Sequence, residues 1–329
     1  MKIAILAGGA SPEHDVSMAS GAEAANALAG RGHSVALCDI SQNKTPRFCK
    51  KQNISFTIPN APRTDCGGEK TISKRALRLC KRADICFMAL HGGAGERGTV
   101  QAILEAENIL FTGSDFDGCH LSSDKYVSKL ICSDAGLCVP RGVCLGHTDA
   151  YPKDVKFPAV IKPCGCGSSV GVSFAESESE LYAAIDKAFT LDERVIVEEK
   201  ITGREFSVSV LGDTALPPVE IRANDGRYGF SEKYGGKATE ICPPNIKKEQ
   251  REALEDAALK AHFALHMRDC SRSDFIIEES CGKIYYLETN ALPGLTKNSL
   301  FPLEAAKYGI NFDALCETLC AFAMERKDK

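Results

Sequence analysis

Residues 272–299 read Arg272-Ser273-Asp274-Phe275-Ile276-Ile277-Glu278-Glu279-Ser280-Cys281-Gly282-Lys283-Ile284-Tyr285-Tyr286-Leu287-Glu288-Thr289-Asn290-Ala291-Leu292-Pro293-Gly294-Leu295-Thr296-Lys297-Asn298-Ser299. Two segments rich in Phe, Ile, Tyr and Leu flank Ser280-Cys281-Gly282, and Gly282 can supply the positive φ of a three-residue hairpin loop. A turn centred on Cys281 sets Asp274 opposite Glu288 and Arg272 opposite Asn290. Residues two apart in a strand share a face. A face carrying two carboxylates, an amide and a guanidinium is a poor core face, because burying unpaired charge is costly. It suits a hard cation, since Mg²⁺ takes oxygen ligands, usually carboxylates together with substrate phosphates. The same spacing also fits a solvated outer face with a surface ion pair. Register decides, because a one-residue slip sends the groups to opposite faces.

The chain has 329 residues, enough for a large core divided among two or three domains. Its 44% hydrophobic and 26% charged content is ordinary for a globular protein, and a net charge of −4 gives no reason to expect a nucleic-acid partner. The opening apolar stretch is too short for a signal peptide, and no run approaches the ~20 apolar residues of a membrane helix. A cytoplasmic protein with no membrane partner is expected. The sixteen cysteines are scattered, with no zinc-finger spacing. Free thiols acting as small hydrophobes are the expectation.

In order along the chain, Lys2 to Ala7 reads as a buried strand. An Ala-rich helix to about Leu28 and a strand from Ser34 to Ile40 follow. This β-α-β opening predicts a parallel sheet whose strand ends face a ligand crevice. The dinucleotide fingerprint G-x-G-x-x-G is absent, which disfavours a dehydrogenase. Glu13, in the loop after the first strand, is either an ordinary first-turn acid or a carboxylate aimed at an ammonium group. His91 ends the strand Ala83 to Leu90, as a structural hydrogen bonder or a site residue. Between these strands lies a polar connection with one short strand, Ile54 to Ile58. Ser114 to Ser123 reads as a crossover, with a domain boundary near 118–122 and Ser123 capping a helix that carries Lys125 and Lys129. Lys162 ends a strand before the glycine-rich Cys164 to Gly171, whose backbone N–H groups can approach phosphate oxygens. No Walker A pattern is present. A helix from Ser177 to Phe189 and a strand from Arg194 to Glu199 come next. Phe206 to Leu211 and Leu216 to Ile221 form an antiparallel pair, and Lys247 to His266 a helix. Asn311 to Met324 is a closing helix docked through Phe312, Leu315, Leu319 and Phe322.

Read in series, these segments resemble the ATP-grasp ligases and, more narrowly, the D-alanine–D-alanine ligase family. The resemblance rests on Gly8-Gly9-x-Ser11-x-Glu13-x-x-Val16-Ser17, His91-Gly92-x-x-Gly95-Glu96-x-Gly98, Ser122-x-Asp124-Lys125, Pro163-x-x-x-Gly167-Ser168-Ser169-x-Gly171 and Glu288-x-Asn290-x-x-Pro293-Gly294-x-Thr296-x-x-Ser299-Leu300. It covers nearly the whole chain. It implies a three-domain α/β ATP-grasp fold: a Rossmann-like parallel-sheet domain over 1–120, then two antiparallel-sheet domains that clamp ATP, a central lid over 121–205 and a catalytic domain over 206–329. It implies ATP-dependent joining of two D-alanines through an acyl phosphate for peptidoglycan precursors, two Mg²⁺ or Mn²⁺ ions, and a homodimer.

The resemblance also assigns roles. Glu13 would hold the amino group of the first D-alanine, with His91 beside it. Ser168 and Tyr234 would join Glu13 around the second-substrate site, and Tyr234 favours an amine nucleophile. Lys125, Lys162, Ser168, Ser169 and Lys233 would reach phosphates. Glu198, Glu199 and Ile201 would read adenine, and Glu205 would hold the ribose. Asp274, Glu288 and Asn290 would ligate the metals. Arg272 and the Gly294 N–H would stabilise the oxyanion, and Ser299 with Leu300 would bind the second carboxylate. Cys164 and Cys166 depart from the family, and an exposed Cys166 would make the loop sensitive to oxidation. Rival readings are a ligase using D-serine or D-lactate, another ATP-grasp carboxylate–amine ligase, and a nucleotide-binding protein without catalysis.

Overall fold

A computed structural model describes residues 1–42, 44, 46–51, 53–57, 71–167, 169–223 and 238–328. The first strand, β1 (Lys2–Ala7), pairs in parallel with β2 (Ser34–Asp39) and β3 (Ile85–Met88), in the order β2-β1-β3. Its apolar run is continuous because both faces are covered, as in parallel sheets generally. Ile3, Ile5 and Ala7 pack on α1 (His14–Gly30) and on the closing helix Phe312–Glu325. Ala4 and Leu6 pack on α2 (Lys74–Cys80) and α4 (Thr99–Ala106). Gly21 lets α1 lie close to the sheet, since a Cβ there would fall 2.7 Å from Ala7 Cβ. The single turn α3 (Gly93–Glu96) sits where β3 leaves the sheet.

The second sheet is antiparallel and holds β4 (Gly142–Gly146), β5 (Ala159–Pro163), β6 (Ser173–Ala175) and β7 (Arg194–Glu199), in the order β4-β7-β5-β6. Ala159, Ile161, Val195 and Val197 pack under α7 (Glu178–Phe189), leaving Val160, Lys162 and Glu198 on the other face. The third sheet runs β11 (Ala238–Ile241), β10 (Val219–Ala223), β8 (Gly203–Leu211), β12 (Cys270–Glu278) and β13 (Ile284–Asn290), with β9 (Thr214–Ala215) beside β8. Phe206, Val208, Phe275, Ile277 and Tyr286 point to its back, against α8 (Lys248–Ala264). The chain closes with α9 (Leu300–Tyr308) and α10 (Phe312–Glu325). No helix among the described residues is long and apolar enough to cross a membrane.

In the β12–β13 hairpin, Arg272 pairs with Asn290 and Asp274 with Glu288, as the sequence predicts. The turn is not centred on Cys281, however. Near the tip Ile277 pairs with Ile284 and Phe275 with Tyr286, one residue out of the expected register. A bulge at Leu287 restores the count, because Leu287 has no opposite number between the Phe275 and Asp274 pairs. Without it Glu288 would stand opposite Ser273, on the core face. With it, Leu287 and Glu288 both face the crevice. Gly282 has the expected positive φ of 74°.

Three local expectations change, and the closing helix docks as expected through Phe312, Leu315, Leu319 and Phe322. The crossover forms a helix, α5 (Phe116–Ser123), because Asp115 accepts from the Gly118 N–H at 3.0 Å. Asp124, not Ser123, caps α6 (Lys125–Asp134), accepting from Tyr126 and Val127, while the Ser123 hydroxyl donates to the His120 carbonyl. Residues 54–57 form no strand: the Asn26 amide binds the Ile54 N–H at 3.0 Å and its C=O at 2.7 Å, occupying the groups a ladder needs. Ile58 lies outside the described residues. The closing helix buries Leu315, Cys316, Leu319 and Cys320 deepest, and Phe312 and Phe322 only partly. The described cysteines are free thiols.

Candidate active site

Asp274 and Arg272 point from alternate positions of β12 to the front of the third sheet. The Arg272 Nε donates to Asp274 Oδ1 at 3.1 Å, and a terminal nitrogen donates to Oδ2 at 3.2 Å. Ser207, on the same face of β8, donates to Asp274 at 2.7 Å, and the Asn290 amide lies 3.5 Å away. Glu288 pairs with Lys125 of α6 at 3.0 Å. Burial disfavours a charged Lys125, but Glu288 outweighs it and holds the pKa above the usual lysine value. Among the described residues no group of three or more His, Cys, Asp and Glu is placed to hold a metal. The donor set is two carboxylates and an amide on one face, each carboxylate neutralised by a cationic side chain. Hard oxygen donors suit Mg²⁺ or Mn²⁺ completed by substrate phosphates, and a bound cation would take over part of the neutralising role that Arg272 and Lys125 fill here.

Three cavities meet at this face. The largest, about 370 Å³, lies between the second and third sheets. Lys125, Lys162, Ser169, Glu198, Glu199, Ile201, Glu205, Asp274 and Glu288 border it, so every described residue assigned to nucleotide binding lines one space. Val160, Phe174, Ile276 and Leu287 add an apolar lining suited to a base. Glu198 is held from two sides: Lys162 at 2.5 Å on one oxygen and Lys129 on the other. Burial opposes its charge, yet the two lysines hold its pKa below the usual carboxylate value. Burial and the neighbouring Lys162 push Lys129 down to about 7. Cys164 and Cys166 support the site through their backbones: the Lys125 N–H donates to the Cys164 carbonyl at 3.0 Å and the Lys125 ammonium to the Cys166 carbonyl at 2.6 Å. The Cys166 thiol is half-buried, and burial pushes its pKa up, away from the thiolate that oxidation requires.

The second cavity, about 260 Å³, is bordered by Glu13, Glu96, Lys125, Gly167, Glu288 and Asn290. The third, about 330 Å³, is bordered by His91, Glu96, Arg272, Asp274, Gly294, Ser299 and Leu300. Gly294 packs on Ser299, where a Cβ would fall 2.8 Å from the hydroxyl. That hydroxyl bonds Thr296 and leaves the first turn of α9 without a side-chain cap, so backbone N–H groups there can meet an anion. Ser168, Lys233 and Tyr234 lie outside the described residues.

Several neighbours carry no role in the sequence reading. Glu96 stands inside the quoted His-Gly motif, and that motif was its only signal. Lys129 lies four residues from Lys125 on one helix face. Ser207 alternates with Glu205 on β8. Glu240 borders the third cavity, and burial raises its carboxyl. Glu304 of α9 lies buried behind Arg272 with its carboxyl pushed well above the usual value by burial, accepting the Ser209 N–H.

His91 bonds Ser20 through Nε2 at 2.9 Å; burial and Arg272 push it down to about 4, against the Leu292 backbone, which favours its protonated form. Burial alone pushes His262 down to about 4 as well. The unfolded chain therefore binds more protons than the native one between pH 6.5 and 4, and the stability each ring contributes falls with pH through that window. The loss reaches about 3 kcal/mol per ring at the acid end. In a ring-nitrogen NMR titration both signals should stay neutral at pH 5.5; an inflection near 6.5 for either would refute this.

Comparison with known proteins bears on what the crevice does. Residues 2–114 match the family model described as D-ala D-ala ligase N-terminus, and residues 146–321 match D-ala D-ala ligase C-terminus. The D-alanine–D-alanine ligase of Pediococcus pentosaceus is 35% identical over 342 residues, covering 97% of this chain and 96% of that protein. That of Geobacter sulfurreducens is 36% identical over 323 residues, covering 97% and 92%. The crystal structure of D-alanine–D-alanine ligase from Bacillus anthracis complexed with ATP superposes with a TM-score of 0.81 at 26% identity, covering 100% of this chain and 99% of that one.

Proposed function

Since this chain belongs to the D-alanine–D-alanine ligase family, we propose that it joins two D-alanines at the expense of ATP, supplying a dipeptide for peptidoglycan. The observation that carries this reading is the position of Arg272, Asp274, Glu288 and Asn290 on one face. That face lies between the largest of the three cavities and two smaller ones bordered by Glu13 and Ser299. In this reading residues 1–120, 121–205 and 206–329 are the three domains, one sheet to each, although β8 of the third sheet begins at Gly203, three residues before the last boundary.

Adenine would lie against Ile201 and Leu287, with the ribose on Glu205 and the phosphates along Lys162 and Lys125. Asp274, Glu288 and Asn290 would hold two Mg²⁺ or Mn²⁺ ions, which when bound neutralise charge on the β- and γ-phosphates. The first D-alanine, its ammonium on Glu13, turns its carboxylate toward the γ-phosphate. An oxygen–phosphorus bond forms, the bond to ADP breaks, and a poor leaving group becomes a good one. Ser299 and the Leu300 N–H hold the second carboxylate. As the second amine attacks, Arg272 and the Gly294 N–H stabilise the oxyanion, a role typically worth ~3–4 kcal/mol per donor.

The test is phosphate release from ATP with D-alanine alone, then with D-alanine plus D-serine or D-lactate. D-alanine-dependent release with dipeptide as product is expected. Release only when D-serine or D-lactate is added reassigns the second substrate, and none with any of the three overturns the reading.

A further inference from the structure

The cavity bordered by Glu13 and the cavity bordered by Ser299 have two side chains in common, Glu96 and Asn290. Of these only Glu96 can take a proton. It closes the turn α3, and its carboxyl accepts the Gly92 backbone N–H. Its Oε2 converges with that of Glu13 on the glycine-rich loop: a Cβ on Gly167 would lie 3.4 Å from the first and 3.3 Å from the second. The charges of Lys125 and Glu288 also act on it, and Arg272 and Asp274 stand on the far cavity's wall. Two carboxyls this close in a sheltered crevice are costly to ionise together, so the pair retains a proton. Burial and Glu13 together push Glu96 up to about 8.

We propose that Glu96 is the base that deprotonates the attacking ammonium group, and that the first amino acid arms it. The proposal rests on the ligase reading above. When the first substrate's ammonium docks on Glu13, it replaces the retained proton as the neutralising charge. Glu96 releases that proton to solvent and stands as a carboxylate. The second substrate, held by its own carboxylate at Ser299, then presents its ammonium in the cavity Glu96 borders. Glu96 takes one N–H proton, and the freed lone pair attacks the acyl-phosphate carbon. The C–N bond forms, the C–O bond to phosphate breaks, and a second nitrogen proton leaves with the phosphate. His91 is a poorer candidate, because its Nε2 is engaged by Ser20 and it borders the far cavity but not the one that holds Glu13. Glu240 borders the far cavity but not the one that holds Glu13.

The experiment compares Glu96→Gln with wild type using two nucleophiles: D-alanine, which arrives as an ammonium, and hydroxylamine, which is already unprotonated at neutral pH. Dipeptide synthesis should fall about 10²-fold, the lower end for a lost general base. D-alanyl hydroxamate formation should keep most of its rate. With a non-hydrolysable ATP analogue present, D-alanine binding to wild type should release close to one proton near pH 7, fading as the pH passes about 8, and binding to the variant should release none. Glu96→Asp keeps a carboxyl and should recover part of the dipeptide rate. Equal loss of both products, undiminished dipeptide synthesis, an Asp variant no better than Gln, or no proton release would each overturn the proposal. Wild-type protein that forms neither product would instead overturn the ligase reading itself.

Discussion

Glu288→Gln should lower D-alanine-dependent phosphate release about 10⁴-fold, the equivalent of some 5 kcal/mol of transition-state stabilisation. Glutamine keeps the shape of the side chain and removes the charge. Two things then fail together. Lys125, now 3.0 Å from a carboxylate, loses its counter-charge, though the Cys166 carbonyl still accepts from it. The proposed metal site keeps one carboxylate, Asp274, which Arg272 and Ser207 already engage. The fold should survive, because Glu288 borders open cavities and stays hydrated. Thermal melts of the two proteins should agree within a few degrees. Wild-type turnover in a folded variant would end the assignment of this face to metal and phosphate.

Arg272→Met should cost about 10³ in kcat, near the top of the range for losing one oxyanion donor. Methionine retains much of the length and none of the charge. The added effect is on Asp274, a buried carboxylate that loses both guanidinium hydrogen bonds, at 3.1 and 3.2 Å. ATP affinity should change far less than kcat, since Arg272 does not border the nucleotide cavity. Arg272→Lys keeps the charge but not the planar fork and should fall between. Steady-state kinetics with ATP titrations separates the two quantities; loss of ATP binding at unchanged kcat would remove Arg272 from the reaction.

Much of this site was legible because its residues sit in short motifs at strand ends, where local spacing dictates direction. The pairing of Asp274 with Glu288 was read correctly, although the turn assumed for it was not the one that forms. Nothing in Tyr286-Leu287-Glu288 marks a bulge: there is no glycine, and the strand stays apolar. What escaped was set by tertiary contact. Glu96 owes its raised pKa to burial in the crevice and to Glu13, on another strand-end loop. Lys129 shares a helix face with Lys125, but its partner Glu198 comes from a different sheet. The capping error was smaller in kind: Ser123 and Asp124 both suit the position, and only the backbone turn between α5 and α6 chooses Asp124. Cys316 and Cys320 show how thiols can share the centre of a helical stripe read as Phe312, Leu315, Leu319 and Phe322.

The extra residue at Leu287 separates the two ends of its hairpin. Beyond it, the strand is aligned by β12, which β8 holds along its length from Cys270 to Glu278. Before it, alignment follows the tip. Adding residues between Glu279 and Lys283 would lengthen a solvent-facing loop at a closure cost below about 1 kcal/mol, and would leave Asp274 and Glu288 where they are. The tip can thus change length while the chemistry at the other end of the hairpin stays in step.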